Sequence, residues 1–121
     1  MTKWRLLLIM FFILVMPSVF LADTAEAAYG TTTVDSTNNI GLYTSKADGT
    51  SGAAYISYFD DTGGDLEYAT NVSGAWVKTT VDSPVDSGWS ASTSIEVGTS
   101  GAVYISYCDA QNANLMYATN V

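Results

Sequence analysis

Residues 49–72 read GTSGAAYISYFDDTGGDLEYATNV, and residues 98–121 read GTSGAVYISYCDAQNANLMYATNV. The two stretches align without a gap at an offset of 49, and 16 of their 24 positions are identical. Identity of that extent marks a tandem copy, so the repeat is the natural unit of folding. It extends upstream, where residues 76–83 (WVKTTVDS) align with residues 29–36 (YGTTTVDS) at an offset of 47. The step from 47 to 49 puts a two-residue length difference between Asp35/Asp82 and the GTSG turns. A variable loop belongs there.

Within each copy the side chains alternate with the period of a strand. Ala54, Ile56 and Tyr58 point one way and Tyr55, Ser57 and Phe59 the other. Val103, Ile105 and Tyr107 oppose Tyr104, Ser106 and Cys108 in the second copy. The segments 65–72 and 114–121 alternate too, with Leu66/Tyr68 and Leu115/Tyr117 expected on the core face. Val77, Thr79 and Val81 predict a strand over 75–82, and Ile95 and Val97 one over 93–97. Its counterpart, residues 44–47, carries Lys46 where Ile95 stands and reads as a degraded strand.

The fold class is therefore all-β. Each copy supplies four short antiparallel strands in just under 50 residues, which is the dimension of a β-propeller blade. A small sandwich or barrel is the alternative, but neither requires tandem identity. The pattern TSxxxxxxGxxYISYxDxxxxxLxYATN, with WVxxTVDS after the first copy, resembles a repeat of secreted bacterial β-propellers of sialidase-like or lectin-like type. The resemblance covers residues 28–121. It implies a fold and leaves function open, since propellers host hydrolases, lectins and scaffolds alike.

The first stretch reads as a signal peptide rather than as fold. Lys3 and Arg5 precede an almost wholly apolar run from Leu6 to Leu21, and Ala25-Glu26-Ala27 supplies a small-x-small cleavage pattern. The expected organisation is a signal peptide over 1–27 and two tandem blades over 28–121. In it an N-terminal strand at 28–36 completes a blade, the first repeat spans 42–83 and the second spans 89–121. The expected location is secreted or extracytoplasmic, with no membrane attachment after cleavage.

After residue 27 the only basic residues are Lys46 and Lys78, against ten acidic ones, a net charge of −8. Such a chain repels nucleic acid and anionic lipid. The single cysteine, Cys108, excludes an intrachain disulfide and reads as a small buried side chain.

From residue 28 onward the strands run d, a-b-c-d, a-b-c. Two blades cannot close a ring that needs roughly four to eight. Two arrangements satisfy this. Copies of the chain assemble as a homo-oligomer, a trimer or tetramer, as in some bacterial fucose-binding lectins that this arrangement resembles. Alternatively, the sequence is a fragment and further repeats supply the missing blades.

The inventory argues against an enzyme. No histidine is present, so a Ser-His-Asp site is excluded. The sialidase-like resemblance implies an arginine cluster, and no arginine follows Arg5. A carboxylate-dependent glycosidase could draw on Glu67, Glu96 or Asp60. Yet Glu67 is Met116 in the other copy and Glu96 is Ala47, and no unrepeated constellation stands out.

A lectin-like binding module fits the composition better. Aromatic faces stack on sugar rings, and neutral Ser, Thr and Asn bond their hydroxyls. Trp89, in the variable loop, is the first candidate ligand-binding residue, followed by Trp76 and its repeat partner Tyr29. The alternative is a structural or protein-interaction module with no small ligand. No cofactor is expected. The turn from Asp60 to Asp65 is acidic enough for calcium, but the second copy loses two carboxylates there, so these aspartates read as turn residues. Asn71-Val72-Ser73 fits a glycosylation sequon.

Overall fold

The computed structural model describes residues 29–83 and 91–121. The expected signal peptide and Trp89 lie outside the described residues. Seven strands are present, and no helix accompanies them among the described residues. They are β1 (Ile40–Asp48), β2 (Ala54–Asp60), β3 (Asp65–Thr70), β4 (Val77–Asp82), β5 (Thr93–Val97), β6 (Val103–Asp109) and β7 (Asn114–Thr119). They form one antiparallel sheet ordered β1-β2-β3-β4 and a second ordered β5-β6-β7. The sheets are not closed into a barrel.

The turns explain why the two copies fold alike. In each GTSG turn the second glycine takes a positive φ, 78° at Gly52 and 83° at Gly101, where other residues are strained. The N–H of that glycine bonds the carbonyl of the first glycine at 2.9 Å in both copies. At the next turn, Asp60 Oδ1 accepts the N–H groups of Thr62 and Gly63 at 2.8 and 3.1 Å. Asp109 Oδ1 accepts those of Gln111 and Asn112 at 3.1 and 3.2 Å. These two aspartates are turn residues that satisfy local backbone donors. The Asn71 side-chain carbonyl of the sequon accepts the N–H of Ala54 at 2.8 Å, and Asn120 repeats this with Val103 at 2.8 Å.

Tyr55, Ser57 and Phe59 on β2 and Leu66 on β3 turn toward the second sheet. Ile95 on β5 and Val103, Ile105 and Tyr107 on β6 meet them. Polar contacts set the stacking. Thr93 Oγ1 donates to Ser57 Oγ at 3.0 Å, and the N–H of Ile95 donates to Ser45 Oγ at 3.3 Å. Tyr107 donates its hydroxyl proton to Asp82 at the end of β4.

Three expectations need correction. The strand expected over 28–36 is absent over 29–36. A strand exists only as part of a ladder, and in the single chain this segment is held by side chains instead. Leu115 and Tyr117, expected in the core with Leu66 and Tyr68, are 86% and 64% exposed, whereas Leu66 is fully buried. Leu66 has a second sheet to face, and Leu115 has none. The second sheet has three strands, β5-β6-β7. The segment read as degraded is a nine-residue strand, β1, whose register shifts at Leu42 and again before Ser45, with Tyr43 at a φ of 53°.

Candidate functional site

Stacking two pleated sheets leaves a cleft of about 230 Å³ between β3/β4 of the first and β6/β7 of the second. The wall from the first sheet comprises Tyr68, Thr79, Thr80 and Val81. The wall from the second comprises Val103, Ile105, Ala118, Thr119 and Asn120. No residue lining it is charged. The Thr79 hydroxyl and the Asn120 amide, whose oxygen accepts the Val103 N–H, provide polar groups beside an aromatic ring and an apolar floor, whereas Thr80 turns its hydroxyl to Glu67 on the outer face. Period-2 alternation explains the placement: Tyr68, Thr79 and Val81 share the face of the first sheet that meets the second.

The outer face of the first sheet carries a different arrangement. Lys78 Nζ donates to Asp35 Oδ2 at 3.3 Å and to Thr37 Oγ1 at 3.0 Å, and lies 3.8 Å from Glu67 Oε1. Tyr58 donates its hydroxyl proton to Asp35 Oδ2 at 3.1 Å. Thr80 Oγ1 donates to Glu67 Oε1 at 3.4 Å. Glu67 Oε2 is buried with no hydrogen-bond partner among the described residues.

The electrostatics follow from these partners. The Thr37 hydroxyl, acting against burial and supported by the Thr37 N–H, Tyr58 and Lys78, holds the Asp35 carboxyl far below the usual carboxylate range. Burial, then the Glu67 charge and the bond to Asp35, push the Tyr58 phenol well above its ordinary value. Burial and Asp82 do the same for Tyr107. The bond to Asp35 raises Lys78. Burial disfavours the Asp60 carboxylate, but the Asn38 amide and the N–H groups of Gly63 and Thr62 outweigh it, so its pKa is lowered.

The Glu67–Lys78 part of this cluster is unrepeated and was missed by sequence reasoning, whereas the Tyr58–Asp35 bond recurs as Tyr107–Asp82. Its signal was present. Glu67 is Met116 in the second copy and Lys78 aligns with Thr31, so two departures from the repeat carry opposite charge. The register Glu67↔Thr80 and Ala69↔Lys78 then sets them on one face of adjacent strands. The cluster ties residues 35–37 to β2 and β4.

Of the candidates from the sequence, Trp76 is half-buried just before β4, and Tyr29 is 96% exposed. Neither lines the inter-sheet cleft. Among the described residues no group of three or more His, Cys, Asp or Glu side chains is placed to hold a metal ion. No helix there is long and apolar enough to cross a membrane. Comparison with protein-family models, with curated proteins and with solved structures gives no match.

Proposed function

We propose that the chain is a secreted, non-catalytic β-propeller module whose two sheets are successive blades, and that it binds neutral carbohydrate in the manner of a lectin. The blade reading is supported by the repetition of one contact: Tyr58 bonds Asp35 as Tyr107 bonds Asp82. The carbohydrate reading is carried by the inter-sheet cleft. Its uncharged hydroxyl and amide lining beside Tyr68 matches the chemistry of a sugar, which offers hydroxyl groups on its rim and C–H groups on its faces. An acidic protein with so few cations has little to offer an anionic ligand.

A glycan array tests this directly. Binding is expected for the wild-type protein, and weaker binding for Thr79→Val, which removes a cleft hydroxyl while keeping the shape. Trp89→Ala separates the sites: loss of binding there assigns the ligand to the variable loop instead. A silent array sinks the lectin reading, and release of reducing sugar from any arrayed glycan sinks the non-catalytic one.

A protein-interaction role is favoured by a separate observation. Leu115 and Tyr117 expose a large apolar surface on the outer strand of the second sheet, and such patches mark surfaces that bind other proteins.

A further inference from the structure

Among the described residues, two buried side-chain oxygens accept no hydrogen bond, Asp65 Oδ1 and Glu67 Oε2. They belong to neighbouring carboxylates. Residues two apart on a strand share a face, so both stand on the outer face of the first sheet with Tyr58 and Lys78. Asp60, the cross-strand partner of Asp65, stands there too. Asp60 and Glu67 are 4% and 5% exposed. A charged oxygen shut away from water without a donor is costly. Like charges directly opposite on paired strands add repulsion.

We infer that Asp60 and Asp65 hold a calcium ion at the turn between β2 and β3, with Glu67 adding to the negative charge that draws it. The inference depends neither on the carbohydrate nor on the stacking of blades.

Three observations carry it. First, the two carboxylates face one place. A methyl group built on Gly63 would lie 2.7 Å from Asp65 Oδ2 and 3.3 Å from Asp60 Oδ2. The turn takes Asp60 Oδ1, which accepts the N–H groups of Thr62 and Gly63. Asp60 Oδ2 accepts one bond, from the Asn38 amide at 2.8 Å. A carboxylate oxygen has two lone pairs, so Oδ2 keeps one for a metal.

Second, the chain has no cation to spare. After residue 27 it carries two lysines, no arginine and no histidine. Lys46 pairs with Asp48. Lys78 reaches Asp35 and the other oxygen of Glu67. Neither lysine bonds Asp65 Oδ1 or Glu67 Oε2.

Third, the second copy shows the same turn without the charges. At the offset of 49, Asp60 remains an aspartate as Asp109, while Asp65 becomes Asn114, Glu67 becomes Met116 and Gly63 becomes Asn112. Asn112 Nδ2 donates to Asp109 Oδ2 at 2.7 Å. There an amide of the turn itself serves the shared aspartate. In the first copy a glycine stands in place of that amide, and two carboxylates are gained. A donor lost and charges gained together are what a cation site demands.

The donors name the class of ion. They are all oxygens, which suit hard cations. No three acidic groups among the described residues are placed to chelate an ion, so water completes the shell around Asp60 and Asp65. Calcium accepts an irregular shell of about six to eight oxygens, whereas magnesium demands a near-ideal octahedron, which two carboxylates fixed by strand register are not built to match. Two carboxylates place the affinity at the weak end of calcium sites, roughly 10⁻⁴–10⁻³ M.

Thermal melting and titration calorimetry of the whole purified protein, stripped with chelator and then given calcium chloride without any glycan, test this. One ion per chain is expected, and at about 10 mM calcium a rise in Tm of at least about 5 °C. Asp65→Asn introduces the side chain that the second copy carries at this position, so the fold should accommodate it. It is expected to weaken calcium binding at least tenfold, yet to melt no lower than wild type in chelator, since it removes a repulsion. Glu96→Gln, on the second sheet, should bind calcium as wild type does. A wild type indifferent to calcium overturns the inference, as does an Asp65→Asn protein that binds it equally well. Equal stabilisation by sodium chloride at matched ionic strength would reduce the effect to screening and overturns it too. Stabilisation by magnesium chloride that matches or exceeds that by calcium overturns the assignment of the ion.

Discussion

Tyr107 on β6 donates its hydroxyl proton to Asp82 at the end of β4, joining one sheet to the outer strand of the other. Tyr58 makes the same bond to Asp35 at 3.1 Å. The tyrosines are one repeat apart and the aspartates are one repeat apart, although the intervening loop differs in length. The bond forms in both places although only Asp82 belongs to a sheet, and at Asp82 it ties β6 to the outer strand of the first sheet.

Removing that hydroxyl should therefore loosen the stack. Tyr107→Phe is expected to cost about 1.5–3 kcal/mol, the range for a hydrogen bond to a charged group. Tyr58→Phe should cost less, because Thr37 and Lys78 still hold Asp35. Urea denaturation of both variants measures the difference. A Tyr107→Phe protein as stable as wild type would remove the bond from the account of the fold.

Stability should fall at both ends of the pH scale. The carboxyls of Asp35 and Asp60 are lowered in the folded protein. Their contribution is complete above the unfolded value, about 3.9, and is lost as pH falls toward the folded one. Tyr58 and Tyr107 are raised, so the folded state holds its phenolic protons while the unfolded chain releases them above about pH 10. Their contribution is complete below that value and is lost as pH rises beyond it. Thermal melting between pH 2 and about pH 11 checks both limbs, within the range that these groups titrate. Asp35→Asn should flatten the acid limb, and Tyr58→Phe the alkaline one.

Strand positions were legible in the sequence because alternation and tandem identity are local properties. Five strands, β2, β3, β5, β6 and β7, begin within one residue of their expected starts. Burial was not legible. Leu66 and Leu115 occupy the same repeat position, yet one is fully buried and the other open, because burial depends on whether another sheet stands opposite. The TTTV run at 31–34 has strand-forming residues and no strand, since a ladder needs a partner edge. The Asp35–Tyr58–Glu67–Lys78 cluster was not legible because its members lie on four separated segments. Only the paired departures of Glu67 and Lys78 from the repeat hinted at it. The leading ligand candidate, Trp89, falls in the variable loop outside the described residues.

The GTSG turns separate two kinds of glycine. At Gly101 an added methyl would meet no atom within 4 Å, but φ is +83°. Gly101→Ala should cost about 1–2 kcal/mol from backbone strain alone. At Gly49 the methyl would lie 2.9 Å from the ring of buried Tyr55, and at Gly98 it would lie 3.2 Å from the ring of half-buried Tyr104. Tyr104 can shift and Tyr55 cannot without disturbing the core. Gly49→Ala should therefore cost more than Gly98→Ala, within the roughly 1–3 kcal/mol of overpacked sites. Chemical denaturation of the three variants orders them.

Leu66 and Leu115 provide the sharpest comparison, since one repeat position is sampled in two environments. Leu66→Ala opens a cavity between the sheets and should cost about 2–5 kcal/mol. Leu115→Ala removes an exposed side chain, so in a monomer its effect should stay within about 0.5 kcal/mol. If a second copy covers that face, the leucine is buried in the assembly and the variant pays a cavity cost there too. The signature is then a dependence on protein concentration. Dilute Leu115→Ala protein should melt like dilute wild type, whereas concentrated wild type should gain stability that concentrated Leu115→Ala lacks. Equal melting of the two at every concentration would leave Leu115 a solvent-exposed residue in solution as well as in the single chain.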